Sequence, residues 1–158
     1  MKTAILVHSM TGNTLYVAQK LKDQLQAKGH EVALEKLEPV GGEDKNMVDP
    51  TKIVLRPALD LQGFDNVVLA GPVRGFSMSP VLKAYVSHVE SLKGRKMILF
   101  VTHFFPFSFL GGESAIRQMR AAVEAKGAQV VATGIVDWKG FGREKKINRL
   151  VEDLAARF

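Results

Sequence analysis

The sequence predicts a three-layer α/β fold: a five-stranded parallel sheet in the order 2-1-3-4-5 with helices on both faces. Three observations predict it. Four short runs, Ala4–Val7, Val67–Ala70, Met97–Val101 and Gln129–Val136, are almost continuously apolar, the pattern of strands covered on both faces of a parallel sheet. Segments with helical spacing of apolar residues lie between these runs, and strands alternating with helices build a parallel sheet. Five such strands fit a doubly wound order, in which ligands bind beyond the carboxyl ends of the strands, at the switch between strands one and three.

The elements follow in chain order. Ala4–Val7 is the first strand. Leu15, Ala18, Leu21 and Leu25 recur at helical spacing, and Gly29 stops that helix. Glu31–Leu37 alternates polar and apolar residues, as an exposed edge strand does. The segment Glu38–Asp65 carries Pro39, Gly41, Gly42, Pro50 and Pro57, and reads as loop with one short helix or extended piece. After Val67–Ala70, Ser79 and Pro80 are a helix start, with serine as the cap and proline at the first helical position. Val81, Leu82, Tyr85, Val86, Val89 and Leu92 supply that helix's buried stripe. Ile116, Met119, Ala122 and Val123 supply the next, ended by Gly127. Ile147, Leu150, Val151 and Leu154 form a last helix.

A chain of 158 residues buries a full core, and one domain over 1–158 is expected. No stretch reaches the roughly 18 apolar residues of a membrane span. The apolar run within Met1–Val7 is too short for a secretory signal, and a Gly-Asn turn follows it, so a cytoplasmic location is expected. The absence of cysteine excludes disulfides, thiolate nucleophiles and cysteine metal sites. His8, His30, His88 and His103 are scattered without metal-ligand spacing, so no metal is expected. The net charge is +6 and the isoelectric point about 9.7. Lys and Arg are spread along the chain, apart from a cluster of Arg143, Lys145, Lys146 and Arg149. No nucleic-acid motif accompanies them, and nucleic acid is not an expected partner.

The loop after the first strand reads Ser9-Met10-Thr11-Gly12-Asn13-Thr14 and opens directly into a helix. It has the chemistry of a phosphate cradle. Gly12 lets the backbone approach closely, the helix start offers unpaired N–H groups and a favourable dipole, and Ser9, Thr11 and Thr14 add hydroxyls. No lysine or arginine lies in the loop, so a phosphate is held there by neutral donors. A nucleotide triphosphatase loop ends in Gly-Lys, and this one does not.

Ser9 to Thr14 match the pattern [Ser/Thr]-x-Thr-Gly-x-Thr, and here the sequence resembles the flavodoxin family. The resemblance implies a flavodoxin-like three-layer sandwich that binds FMN. It covers essentially the whole chain and is strongest at Ser9–Thr14 and Gly71–Ser79. The loop Gly71-Pro72-Val73-Arg74-Gly75-Phe76-Ser77-Met78 resembles the Gly-x-Pro-Val segment that lies along the flavin ring in that family. The resemblance implies that Gly75 responds to the redox state of flavin N5 and that Pro72, Val73 and Phe76 flank the ring. Arg74 is expected near the pyrimidine edge, where a guanidinium favours the negative charge of reduced flavin.

The loop after the fourth strand, Thr102 to Gly112, corresponds to the family's second ring-flanking loop. Thr102, His103, Phe104 and Phe105 are its expected ring contacts, with His103 as a donor to a flavin oxygen or a structural histidine. Four phenylalanines (Phe104, Phe105, Phe107 and Phe109) are unusual in a loop. They wall the apolar end of the ring, form a partner or oligomer surface, or fold back into the core. Two features depart from the family's pattern. Its members are strongly acidic and sandwich the ring with tryptophan and tyrosine, whereas this chain is basic and Trp138 lies well downstream.

The reading this supports is an FMN-binding redox protein that mediates electron transfer, with the chemistry on the flavin. Its partner is then a redox protein. The first alternative is an NAD(P)H-dependent FMN quinone reductase acting on a small-molecule acceptor. Gly71 to Phe76 also resembles the Pro-x-Arg-Phe turn of type IV quinone reductases, and Gly111-Gly112-Glu113 is similar to their later glycine turn. Those enzymes form homo-oligomers. The second alternative is a binding module that keeps the scaffold without the flavin.

Overall fold

The computed structural model describes residues 1–44, 46–104 and 111–158. Five parallel strands build the sheet: β1 (Lys2–Val7), β2 (Glu31–Lys36), β3 (Asn66–Arg74), β5 (Lys96–His103) and β6 (Gln129–Asp137). Their spatial order is β2-β1-β3-β5-β6. This is the predicted 2-1-3-4-5 order, with one short strand, β4 (Ser77–Met78), added antiparallel to the end of β3. The four helices are α1 (Asn13–Ala27), α2 (Pro80–His88), α3 (Gly112–Ala125) and α4 (Arg143–Ala155).

The two faces of the sheet have separate cores, because successive side chains of a strand point to opposite sides. Ile5, Val7, Val68, Ala70, Ile98 and Phe100 face α1 and α4. Ala4, Leu6, Val67, Leu69, Met97 and Leu99 face α2, α3 and the segment before β3. The residues named are fully or almost fully buried, which is why the three inner strands read as continuous apolar runs. β2 pairs with β1 alone, and its residues from Val32 to Glu35 are half-buried, as an edge strand's are.

Among the described residues, the connection from β2 to β3 holds a 3-10 turn, Pro50–Lys52, and an isolated bridge between Pro39 and Leu55. Parallel strands usually cross over through a helix. Here prolines and glycines prevent one, and a groove of about 730 Å³ remains between the 51–62 segment and the end of α2.

Two sequence expectations are corrected. The apolar spacing carries the α2 stripe on to Val89 and Leu92, but the helix ends at His88 and Val89 is already extended, with φ −70° and ψ 126°. Leu92 is buried for another reason: its N–H donates to the Lys126 carbonyl at 2.8 Å, which fixes it against the turn after α3. The loop expected from Gly71 is strand as far as Arg74. Gly71 pairs with Val101 and Pro72 with Thr102. An added Cβ on Gly71 would lie 2.6 Å from Leu82 Cδ1, so this glycine serves the packing of α2 on the sheet.

Candidate functional site

The site is built where the strand order reverses, beyond the carboxyl ends of β1, β3 and β5. The His8 N–H donates to the Ala70 carbonyl at 2.9 Å and carries the chain one residue past β1. It then turns through Ser9 to Gly12 into α1. Gly12 is the N-cap residue at φ 92°, a left-handed conformation that favours glycine. Its carbonyl accepts the Tyr16 N–H at 2.9 Å and closes the first helical turn. The N–H groups at the helix start have no carbonyl within the helix to bond. An added Cβ on Gly12 would meet nothing within 4 Å, so the space above the loop is open.

The hydroxyls divide their work. Ser9 Oγ accepts the Leu15 N–H at 3.2 Å, and an accepting hydroxyl keeps its own proton to donate. Thr14 Oγ1 lies 2.8 Å from Thr102 Oγ1 in a buried bond that ties α1 to the end of β5. Thr11 is exposed and Met10 and Asn13 are half-buried. This donor set fits a phosphate monoester: neutral N–H and O–H groups around an open concavity at a helix N-terminus.

The second wall is a hairpin. Val73 pairs with Met78 and Arg74 with Ser77, leaving Gly75 and Phe76 as a two-residue turn with φ 54° and 61°. Positive φ at both positions is the mirror-image turn that matches strand twist. Phe76 is the only non-glycine residue with positive φ among the described residues, and its ring is 59% exposed. Pro72, Val73 and Arg74 are half-buried. The Arg74 guanidinium donates to Met10 Sδ, so a cation from the hairpin lies against the Ser9–Thr14 loop.

The third wall begins at the end of β5. Thr102 and His103 are buried. His103 pairs with Asp137 across the sheet. Its Nε2 contacts Asp137 Oδ1, but that contact does not complete a hydrogen bond and Nδ1 has no partner among the described residues. Phe104 is 59% exposed, with the Lys139 ammonium 4.9 Å from its ring centre. The expected contact Phe105, with the phenylalanines at 107 and 109, lies outside the described residues. The wall resumes at Gly111, at φ 102°, where an added Cβ would stand 2.7 Å from Phe76 Cα. The hairpin turn and the start of α3 therefore touch.

No family model matches the chain, and no curated protein sequence matches it. Solved structures do. A flavodoxin from Streptococcus pneumoniae TIGR4 superposes with a TM-score of 0.68 at 18% identity over 100% of both chains. Oxidised flavodoxin 2 from Bacillus cereus gives 0.68 at 20% identity, also over 100% of both. Two-electron reduced Megasphaera elsdenii flavodoxin gives 0.63 at 20% identity over 98% of both. The chain has the flavodoxin-like fold.

Within this flavodoxin-like fold, one buried group escaped the sequence reading. His8 is 1% exposed. Its Nδ1 lies 2.9 Å from Ser79 Oγ and its Nε2 2.7 Å from Glu43 Oε1. Ser79 Oγ in turn accepts the Leu82 N–H at 3.2 Å and caps α2. Burial holds the His8 pKa below its ordinary value; the Glu43 carboxylate opposes that effect, and the Arg74 and Lys36 charges add to it. The chain Glu43–His8–Ser79 thus ties the end of β1 to the start of α2 and to the loop after β2. Sequence spacing held no signal for it, because 35 and 71 positions separate His8 from its partners.

Proposed function

We propose that this chain binds FMN at the carboxyl end of the sheet and uses it to transfer electrons. The observation that carries the reading is the neutral cradle Ser9–Thr14, which opens α1 between β1 and β3, the switch point of the sheet. The flavodoxin-like fold supports the same cofactor.

Each wall has a part. Thr11, Gly12, Asn13 and the Ser9 hydroxyl hold the phosphate, with Thr14 and Thr102 bonded to each other beneath it. Arg74, against Met10, adds a positive charge beside an otherwise uncharged loop. Pro72, Val73, Gly75 and Phe76 flank one side of the ring, and Thr102, His103 and Phe104 the other. When bound, the flavin supplies reversible acceptance of electrons; the protein sets its access and its charge environment. The exposed ring of Phe76 shields one side from water, and the Arg74 charge favours the anionic reduced form.

The test is a visible spectrum of the purified chain before and after addition of FMN and removal of the excess. Flavin bands that persist support the reading, and a colourless protein sinks it. An NADPH challenge of the loaded protein then separates the two redox readings. Slow bleaching without a separate reductase supports a carrier, and rapid turnover with a quinone supports a reductase.

A further inference from the structure

The corner where β6 passes into α4 shows a combination found nowhere else on the described surface. Phe141 is 98% exposed, more than any other large apolar residue among the described residues. It stands on a turn between Gly140, at φ 137°, and Gly142, at φ 70°, and Lys139 and Arg143 flank it. Arg143 stacks on Trp138 with its guanidinium carbon 4.5 Å from the ring centre, and also donates to the Trp138 carbonyl at 3.1 Å. Lys139 lies over Phe104. The two cations are thus held against aromatic rings, and no ion pair of either with a carboxylate is seen among the described residues.

The next turns of α4 add Lys145, Lys146 and Arg149, all exposed. No ion pair to any of the three is seen among the described residues. The acid of this stretch, Glu144, is already engaged. It accepts from the Tyr16 hydroxyl and the Lys20 ammonium, each at 2.5 Å, and these bonds hold its pKa below the usual carboxylate range. Five cations therefore lie within eight positions of one almost fully exposed aromatic residue.

This corner borders the candidate cofactor site. Trp138 N–H donates to the His103 carbonyl at 2.7 Å. Tyr16, one turn into α1 from the phosphate loop, meets both Glu144 and the Trp138 ring. A protein that docks here approaches the flavin end of the sheet.

We propose that this corner is the docking surface for an acidic electron-transfer protein, which buries Phe141 as its anchor and pairs its carboxylates with the surrounding lysines and arginines. The inference rests on the electron-transfer reading above. An aromatic anchor inside a polar rim is the usual anatomy of a binding hot spot. A one-sign rim speeds encounter with an oppositely charged partner and makes it depend on salt. The family resemblance points the other way, since its members are acidic; here the charge of the surface selects the opposite kind of partner.

The test uses a fluorophore-labelled acidic [2Fe–2S] ferredoxin as probe and reads fluorescence anisotropy with the full chain, at low and at high salt. The expected result is binding that weakens steeply as salt rises. Phe141→Ala should weaken it about tenfold or more with the salt slope kept. The triple variant Lys145→Glu, Lys146→Glu, Arg149→Glu should weaken it at low salt and flatten the slope. All these positions are exposed, and circular dichroism of each variant checks that the fold is intact. Binding that neither variant changes overturns the proposal. So does tighter binding of a labelled DNA duplex or of anionic lipid vesicles, or a Phe141-dependent dimer of the chain by itself. FMN retention is read separately from the spectrum. A chain that binds the ferredoxin as described but keeps no flavin loses the electron-transfer reading and keeps the docking surface.

Discussion

The two walls of the candidate site nearest the sheet's centre are made in opposite ways. The Ser9–Thr14 loop is largely local. Six consecutive residues supply its glycine, its hydroxyls and the start of its helix, and the Ser9–Leu15 bond is local, although Thr14 and Met10 also reach Thr102 and Arg74. The β3–β4 hairpin is the reverse. Its turn holds Phe76 in a left-handed conformation and presses it against Gly111, thirty-five positions on. What this teaches is that a site can be half pattern and half packing. The pattern half tolerates change in its surroundings, while the packing half depends on residues that no motif connects.

Substitutions at two glycines separate the halves most clearly. Gly111→Ala should be the most damaging. Its Cβ would meet the Phe76 backbone at 2.7 Å and Val73 Cγ1 at 2.9 Å, at φ 102°. Overpacking together with backbone strain should cost about 3 kcal/mol, read as a fall in the urea midpoint. An unchanged midpoint would mean that hairpin and α3 do not touch. Gly12→Ala has open space around it, so conformational strain alone should cost about 1–2 kcal/mol. Its larger effect should fall on FMN affinity, measured by fluorescence titration.

Thr14→Val sharpens the contrast from the loop side. It strands the buried Thr102 hydroxyl and should cost about 1–2 kcal/mol. Adding Thr102→Val should recover part of the loss, since both partners are then apolar. A double variant that simply sums the two single losses would show that the bond is not made.

A dependence on pH should come from His8. Burial lowers its folded pKa below 6.5, the value of the free side chain. As pH falls through 6.5, the unfolded chain takes up the proton first, and stability is lost until the folded pKa is reached. The neutral form's contribution is fully present above that window. The urea midpoint should therefore drop between neutral and mildly acidic buffer, and by less in His8→Asn. His30, also lowered by burial, contributes equally to both proteins. The smallest effect is expected of Phe76→Gly. Relief of the left-handed strain and the added freedom of the unfolded chain nearly cancel, leaving a change within about 0.5 kcal/mol. A large loss would show that the Phe76 ring packs as part of the core.

Much of this molecule was determined by the sequence alone. Short, continuous apolar runs fit strands covered on both faces, and their alternation with amphipathic segments fits the doubly wound order that the sheet has. The Ser79-Pro80 cap and the Ser9–Thr14 loop were legible because a helix start needs particular residues within three or four positions of one another. Only the tertiary structure decided where α2 stops, since the spacing of Val89 and Leu92 copies a helix while Leu92 is held by Lys126. It also decided that Gly71 makes room for Leu82, that Arg74 turns back onto Met10, and that His8 joins Glu43 to Ser79. The physical reason is common to all four. Local conformation depends on neighbours in the chain, whereas a packing contact or a buried hydrogen bond depends on which distant segments the fold brings within a few ångströms.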